Sequence, residues 1–343
     1  MIATGSTAIQ RDFPMSSVDV IVPCYRYAHF LRECVESVLS QSILDVRVLI
    51  LDDASPDNTA DVAADLARED NRVVFVRHAA NKGHIATYNE GIEWASADYL
   101  LLLSADDYLL PGALSRATEI MDKHLDVGFS YGRVIELTDS DPAGRKKTVG
   151  NVSSERGASI LAGRRFIELS GSCNIVPTPT AVVRTALQKK VGLYRPYLPH
   201  SGDMEMWLRL AAHASVASLE AHQAVYRRHS NNMSLAYYRN NCLPDLQHRK
   251  AALDSFFQSC SGALIHDRKL QRQMHWSLGC KAIGFASAAF NDDEMDLADQ
   301  ISHFALSVCP EVKMSFPWAK LACKRRLGSQ GWRTLQAVRA KWF

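Results

Sequence analysis

The stretch from Ala97 to Pro111, ADYLLLLSADDYLLP, limits what this chain can fold into more than any other. From Tyr99 to Leu103 it is apolar without relief, so it reads as a strand covered on both faces, as in a parallel sheet between helices. The run then breaks off in Ser104-Ala105-Asp106-Asp107. Strands of open α/β sheets deliver their chemistry just past their carboxyl ends, in the crevice where ligands bind. Two adjacent carboxylates there repel each other. A divalent cation that prefers oxygen ligands, Mg²⁺ or Mn²⁺, relieves the repulsion, above all one already carrying phosphates. A polar turn behind a core strand explains an isolated Asp-Asp equally well, so the surrounding sequence has to decide.

That sequence alternates strand and helix. Val18 to Val22 reads as a first strand, ended by Pro23, and leads through Cys24-Tyr25-Arg26-Tyr27 into a helix from Ala28 to Gln41. There Leu31, Val35, Val38 and Leu39 recur at helical spacing and leave Arg32, Glu33 and Glu36 to solvent. Val46 to Leu51 is a second strand, and it too stops at a carboxylate pair, Asp52-Asp53. A helix over 57–69, a strand over 73–76, the loop Asn81-Lys82-Gly83-His84 and a helix over 85–95 lead back to the opening strand. This is the βα alternation of a mostly parallel sheet with helices on both faces.

Further on, the pattern predicts a helix over 111–125, a strand over 127–131 and a loop over about 138–156. Two prolines make 174–180 an extended edge segment or loop. From Asp203 a helix follows, with Met206, Leu210 and Ala214 on one face and Trp207 packing beside them, and Val225 to His229 reads as a last strand. Beyond Ser234, the stretches 235–260, 265–290 and 293–308 suit amphipathic helices. The expected organisation is a polar tail over 1–17, an α/β domain over 18–234 and a helical C-terminal extension over 235–343.

Composition narrows the class. The eight cysteines are dispersed without a C-x-x-C, as in a reduced, cytoplasmic protein. A net charge of +2 asks for no nucleic-acid partner. The N-terminus lacks the basic start and apolar core of a signal peptide, and no stretch has the roughly 18 apolar residues of a membrane span. Residues 312–343 carry eight Lys and Arg, no acidic residue and several aromatics, which suits the anionic inner face of a membrane or, equally, a solvated basic tail or a partner-binding helix. Gly328 and Gly331 are expected to break that segment.

Taken in order, these blocks resemble the family 2 glycosyltransferases. Val20-Ile21-Val22-Pro23-Cys24-Tyr25 with Glu36 to Gln41 resembles their opening, and Asp52-Asp53-Ala54-Ser55-Pro56-Asp57-Asn58-Thr59 their nucleotide-binding turn. Asn81-Lys82-Gly83 with Asn89-Glu90-Gly91-Ile92 is similar to the next block. Ser104 to Asp107 falls at the D-x-D-type metal motif, with Ser104 where an acid is usual. Gly202-Asp203-Met204-Glu205-Met206-Trp207-Leu208-Arg209 resembles the acidic catalytic block, with Gly202 in place of the usual Glu, and Tyr226-Arg227-Arg228-His229 the closing segment.

The resemblance implies the GT-A fold, a nucleotide-diphosphate sugar donor (a UDP-sugar first), inversion at the anomeric carbon and a divalent cation, Mn²⁺ or Mg²⁺. By position it implies Asp203 as general base and Asp107 as metal ligand. Pro23, Tyr25, Asp52, Asp53, Asn81, Gly83 and Asp106 would surround the nucleotide sugar. His229 stands as a second candidate for the metal, with a structural histidine as its alternative. The acceptor would be a saccharide, a lipid-linked glycan or a protein. A nucleotidyltransferase would want a glycine-rich loop after the first strand, and Pro23 to Arg26 contains no glycine. A catalytically inactive sugar-nucleotide binder or assembly protein is the rival that Ser104 invites.

Overall fold

The computed structural model describes residues 16–43, 45–138, 157–230, 232–237, 242–259 and 267–339. The expected N-terminal tail and the 138–156 loop therefore lie almost wholly outside the described residues.

The first half builds as the alternation requires. Strands β1 (Val18–Cys24), β2 (Val46–Asp52), β3 (Val73–Arg77) and β4 (Tyr99–Leu102) are parallel, in the spatial order β3-β2-β1-β4. Their crossovers are helices α1 (Ala28–Leu39), α2 (Thr59–Glu69) and α3 (His84–Trp94). Every residue of β4 is buried, as its apolar run demands. Side chains alternate along β1: Val18, Val20 and Val22 enter one core cluster with α1 and α2, and Ile21 enters a second on the opposite face. Pro23 does not end β1 but lies inside it, in register with Leu51. The imide is tolerated because Pro23 shares the strand edge of Ile21, whose carbonyl takes Leu103 N at 2.9 Å. The ladder with β4 stops at Ile21 and Leu102, so no N–H is required beyond it.

The second half extends the sheet with mixed polarity. After β5 (Tyr108–Leu109) and α4 (Ala113–Lys123) come β6 (Val127–Thr138), β7 (Ala158–Leu161), α5 (Gly163–Ser170), β8 (Val182–Arg184), α6 (Thr185–Val191), α7 (Gly202–Ala211) and β9 (Ser215–Arg228). The sheet continues β4-β8-β6-β9-β5, with β7 on β9, giving nine strands among the described residues. Helix α4 starts after Pro111 rather than at it, because Gly112 has φ +73°. The last strand is far longer than Val225 to His229, since it pairs with β6 through several register shifts.

The C-terminal helices are α8 (Leu243–Ser259), α9 (Arg268–Asn291), α10 (Met295–Val308) and α11 (Phe316–Arg339), the last kinked at Gly328 (φ +69°). Their apolar faces join the core cluster that covers one side of the sheet. No described helix is long and apolar enough to cross a membrane.

Candidate active site

The two acidic pairs follow the carboxyl ends of β2 and β4, the end of β9 reaches the second pair, and the N-terminus of α7 carries Asp203. Past β4, the chain turns on an Asp107 N–H to Ser104 carbonyl bond of 2.9 Å, which leaves Asp106 and Asp107 side by side and buried. Asp106 Oδ2 lies 3.1 Å from His229 Nε2 and 3.4 Å from Asn232 Nδ2, while its Oδ1 is buried without a hydrogen-bond partner. Asp107 Oδ1 accepts the Arg227 amide at 3.0 Å. Burial, and then the charge of Asp106, push the Asp107 carboxyl well above the ordinary carboxylate range. Arg227 is neither solvated nor aimed outward. Its guanidinium donates to the Asp106 carbonyl at 2.7 Å and to Glu33, and it lies between the Phe30 and Tyr108 rings.

The second acidic pair divides its labour. Asp53 accepts from Lys82 N at 2.7 Å and Gly83 N at 2.9 Å, and meets His78 Nδ1 at 2.7 Å. Burial alone would raise this carboxyl, but those bonds hold it below its ordinary value. Asn81 completes the clamp, donating to the Asp53 carbonyl at 3.0 Å and accepting from Gly83 N at 3.1 Å. Gly83 has φ +85°, a conformation that a side chain would strain. Asp52 accepts the Ser55 amide through Oδ1 at 2.9 Å, whereas Oδ2 makes no hydrogen bond, with Arg77 Nε 3.3 Å away. The Ser55 hydroxyl takes the Arg26 amide at 3.0 Å, tying this turn to the one carrying Pro23 and the exposed Tyr25.

Asp203 opens α7, half-buried. Thr178 Oγ1 donates to its Oδ2 at 2.7 Å, and the Tyr194 hydroxyl also bonds to it. A helix N-terminus favours an ionised carboxylate. Burial is the larger effect here and pushes the Asp203 carboxyl up, against the pull of those two hydroxyls. Gly202 leaves just enough room for Tyr194, whose ring would stand 3.3 Å from an added Cβ. Glu205 points elsewhere: it is fully buried, bound by Arg209 Nε at 2.8 Å and by Ser255 Oγ at 3.1 Å. Trp207 packs 5.6 Å from the Phe129 ring, as the helical pattern expects.

Tyr88, Tyr194 and Thr178 are the neighbours that motif reading missed. Burial, then the charges of Asp203, Asp106 and Asp107 in turn, raise the Tyr88 phenol. One ring on α3 thus feels both acidic groups. Tyr88 does stand next to Asn89-Glu90-Gly91, but only tertiary structure reveals where it faces.

Among the described residues, no group of three or more His, Cys, Asp or Glu is arranged to hold a metal unaided. The acidic turn nonetheless suits a hard cation that draws its other ligands from a diphosphate and water. It offers two buried adjacent carboxylates, an Oδ1 without a partner and an imidazole beside them.

The family model described as "Glycosyl transferase family 2" matches residues 19–190, half of the chain. The chain belongs to glycosyl transferase family 2. Among its relatives, the "Uncharacterized glycosyltransferase EpsJ" of Bacillus subtilis is 33% identical over 111 residues, which is 32% of either protein. The matched stretch therefore spans only about a third of that relative. Solved structures resemble it over far more of its length. S. aureus TarS 1-349 in complex with UDP gives a TM-score of 0.62 at 16% identity, covering 95% of this chain and 92% of that one. The mannosyltransferase PcManGT from Pyrobaculum calidifontis, in complex with GDP-Man and Mn²⁺, gives 0.54 at 16%, covering 90% and 86%. The fold of this family 2 chain is GT-A, and the likeness to TarS extends into the C-terminal helices.

Proposed function

We propose that this chain is an inverting glycosyltransferase that moves a sugar from a nucleotide-diphosphate donor, a UDP-sugar first, to an acceptor hydroxyl on a saccharide, lipid-linked glycan or protein. The observation that carries the proposal is the acidic turn after β4, where the buried Asp106 and Asp107 lie side by side, Asp106 Oδ1 has no hydrogen-bond partner and His229 stands 3.1 Å from Oδ2, in a chain of this family. The UDP and GDP-Man complexes of the structural neighbours support a nucleotide-sugar donor.

In this mechanism the unprotonated Asp203 takes the proton of the acceptor hydroxyl as its oxygen attacks the anomeric carbon, and the diphosphate leaves from the opposite face. One displacement gives inversion. Burial makes Asp203 a stronger base than an exposed carboxylate, and the Thr178 and Tyr194 hydroxyls orient it. Asp52, whose buried Oδ2 faces Arg77 without a hydrogen bond, is the member of the pair assigned to the nucleoside, while Asp53 and Asn81 act by holding the Lys82–Gly83 backbone in place. Pro23 and Tyr25 flank the nucleoside from the adjoining turn. Asp107 would hold the divalent cation, with Asp106 and His229 beside it. A cation held there would supply positive charge to offset what builds on the departing diphosphate.

Release of nucleoside diphosphate from UDP-, GDP- and dTDP-sugars, with and without Mn²⁺, tests the proposal, with the anomeric configuration of the product read by NMR. Binding of a sugar nucleotide without turnover would leave an inactive binder. A retained configuration would remove the single-displacement mechanism.

A further inference from the structure

The basic C-terminal segment presents a different surface from the one its composition suggests. Several of its cations already have partners within the protein, Lys324 in its interior and Arg325 and Arg333 in surface ion pairs. Lys324 is buried, with Nζ on Ser287 Oγ and Asn291 Oδ1, each at 2.7 Å, and it lies over the Trp332 ring. Arg325 pairs with Asp299, and Arg333 with Asp293. Trp318 is half-buried against the core. Among the described residues, the large exposed apolar side chains of this segment gather at its start. Lys313 and Met314 close the short 3₁₀ turn Pro310–Met314, and Phe316 begins α11. Met314 is 77% exposed and Phe316 81%.

These apolar side chains are held out by a firmly seated turn. Val312, fully buried, packs toward Gly279, and the buried Ser315 accepts the Trp318 amide at 3.2 Å. Along α11 the exposed Phe316, Lys320, Cys323 and Leu327 fall at i, i+4, i+7 and i+11, one stripe of the helix, with the exposed Arg326 beside it. Among the described residues Lys313, Lys320 and Arg326 make no ion pair; Glu311, the one acidic residue close by in sequence, accepts from the Cys309 thiol at 3.3 Å and keeps its charge.

We propose that the Met314–Phe316 turn and the Phe316–Leu327 stripe of α11 dock this protein on an anionic lipid bilayer, with Met314 and Phe316 entering the headgroup boundary and Lys313, Lys320 and Arg326 contacting acidic lipids. Large apolar side chains fixed in the open beside unpaired cations match that surface on both counts. A soluble acidic partner would satisfy the cations but leave Met314 and Phe316 in water. This inference is independent of the transfer reaction, because none of these residues lies in the site described above.

The test is co-sedimentation of the full chain with vesicles of phosphatidylcholine, with or without phosphatidylglycerol. The protein should pellet with the anionic vesicles only, and less as salt rises. Each basic residue near an anionic surface is worth about five-fold in binding. Replacing Lys313, Lys320 and Arg326 together by Gln should therefore weaken partitioning on the order of a hundred-fold. Met314→Ser with Phe316→Ser should likewise weaken partitioning to the anionic vesicles, and sugar-nucleotide binding without vesicles should be unchanged in either variant. Three results would overturn the proposal: protein left in the supernatant at low salt, equal pelleting with neutral vesicles, or an oligomer in sedimentation velocity that Phe316→Glu dissociates. The last would make the stripe an interface between copies of this chain.

Discussion

Asp203 and Glu205 stand two residues apart on the same helix, and their surroundings separate their roles. Asp203 faces Thr178 and Tyr194 in the cleft, whereas Glu205 is sealed against Arg209 and Ser255. Loss of a general base costs a factor of about 10² to 10⁴ in rate. Asp203→Asn should lose transfer on that scale and bind the nucleotide sugar nearly as before. Glu205→Gln should instead lower the melting temperature, since it weakens a buried ion pair, and leave the rate per folded molecule close to normal. A dead but stable Glu205→Gln would exchange the two roles. The pH dependence follows from the same geometry. Asp203 must be ionised to act, so the rate falls as pH drops through its raised pKa. The Thr178 hydroxyl stabilises the ionised form, so Thr178→Val should raise that pKa further and shift the acid limb of kcat/KM to higher pH. An unmoved limb would mean that another group governs it. Sequence alone put Asp203 at a helix N-terminus, where the dipole argues for a lowered pKa. Burial, which comes from residues far away in the chain, reverses the direction.

At the scale of elements, what was legible is what local pattern encodes. The βα alternation through β4 follows from apolar runs and helical spacing, and each carboxylate pair sits at a strand end as those runs require. The kink at Gly328 was legible for the same reason, whereas Gly331, also expected to break the segment, stays within the helix. Helices α5 and α6 and strands β5, β7 and β8 were not, because they are short and are stabilised by pairing and packing against distant partners. The roles of Asp53 and Asn81 were also hidden: a motif names the residue, while only the fold shows that Asp53 spends both oxygens on the Lys82–Gly83 backbone. Gly91 shows how an element carries the site. A Cβ added there would stand 2.3 Å from Ile21 Cγ2, so the glycine lets α3 lie close on β1. That approach fixes Tyr88 and also Asn89, which pairs with both backbone groups of Tyr194 at 3.0 and 2.8 Å. Gly91→Ala should cost about 1–3 kcal/mol by overpacking. Equilibrium denaturation measures it, and an unchanged midpoint would show that Ile21 can turn aside freely.

Over the whole molecule, the C-terminal helices share one core with the sheet. Met206, Trp207 and Leu210 of α7 belong to the same buried cluster as Leu246, Leu253 and Phe256 of α8, and the cluster continues through Leu270, Met274 and Leu278 of α9. Polar contacts cross the same boundary. Asp245 Oδ1 lies 2.8 Å from His200 Nε2, just before the helix that carries Asp203, and Arg249 donates to the Ser172 carbonyl at 3.1 Å. A chain ending at residue 234 would uncover the faces of α5 and α7 that these helices cover. Burying each large apolar side chain is worth about 1.5–3 kcal/mol, and Leu246, Leu253 and Phe256 alone approach the roughly 5–15 kcal/mol that keeps a protein folded. The shortened chain should therefore show no cooperative thermal transition and bind ANS strongly, although it retains the acidic turn, Asp203 and every other proposed site residue. Asp245→Ala in the full chain is the milder probe of the same boundary. It should keep a cooperative transition at lower temperature and slow transfer, because His200 loses the carboxylate that holds it beside the Asp203 helix. If the chain ending at residue 234 melts cooperatively near the temperature of the full protein, the helices are an addition to a self-sufficient sheet, and the shared core does not decide stability.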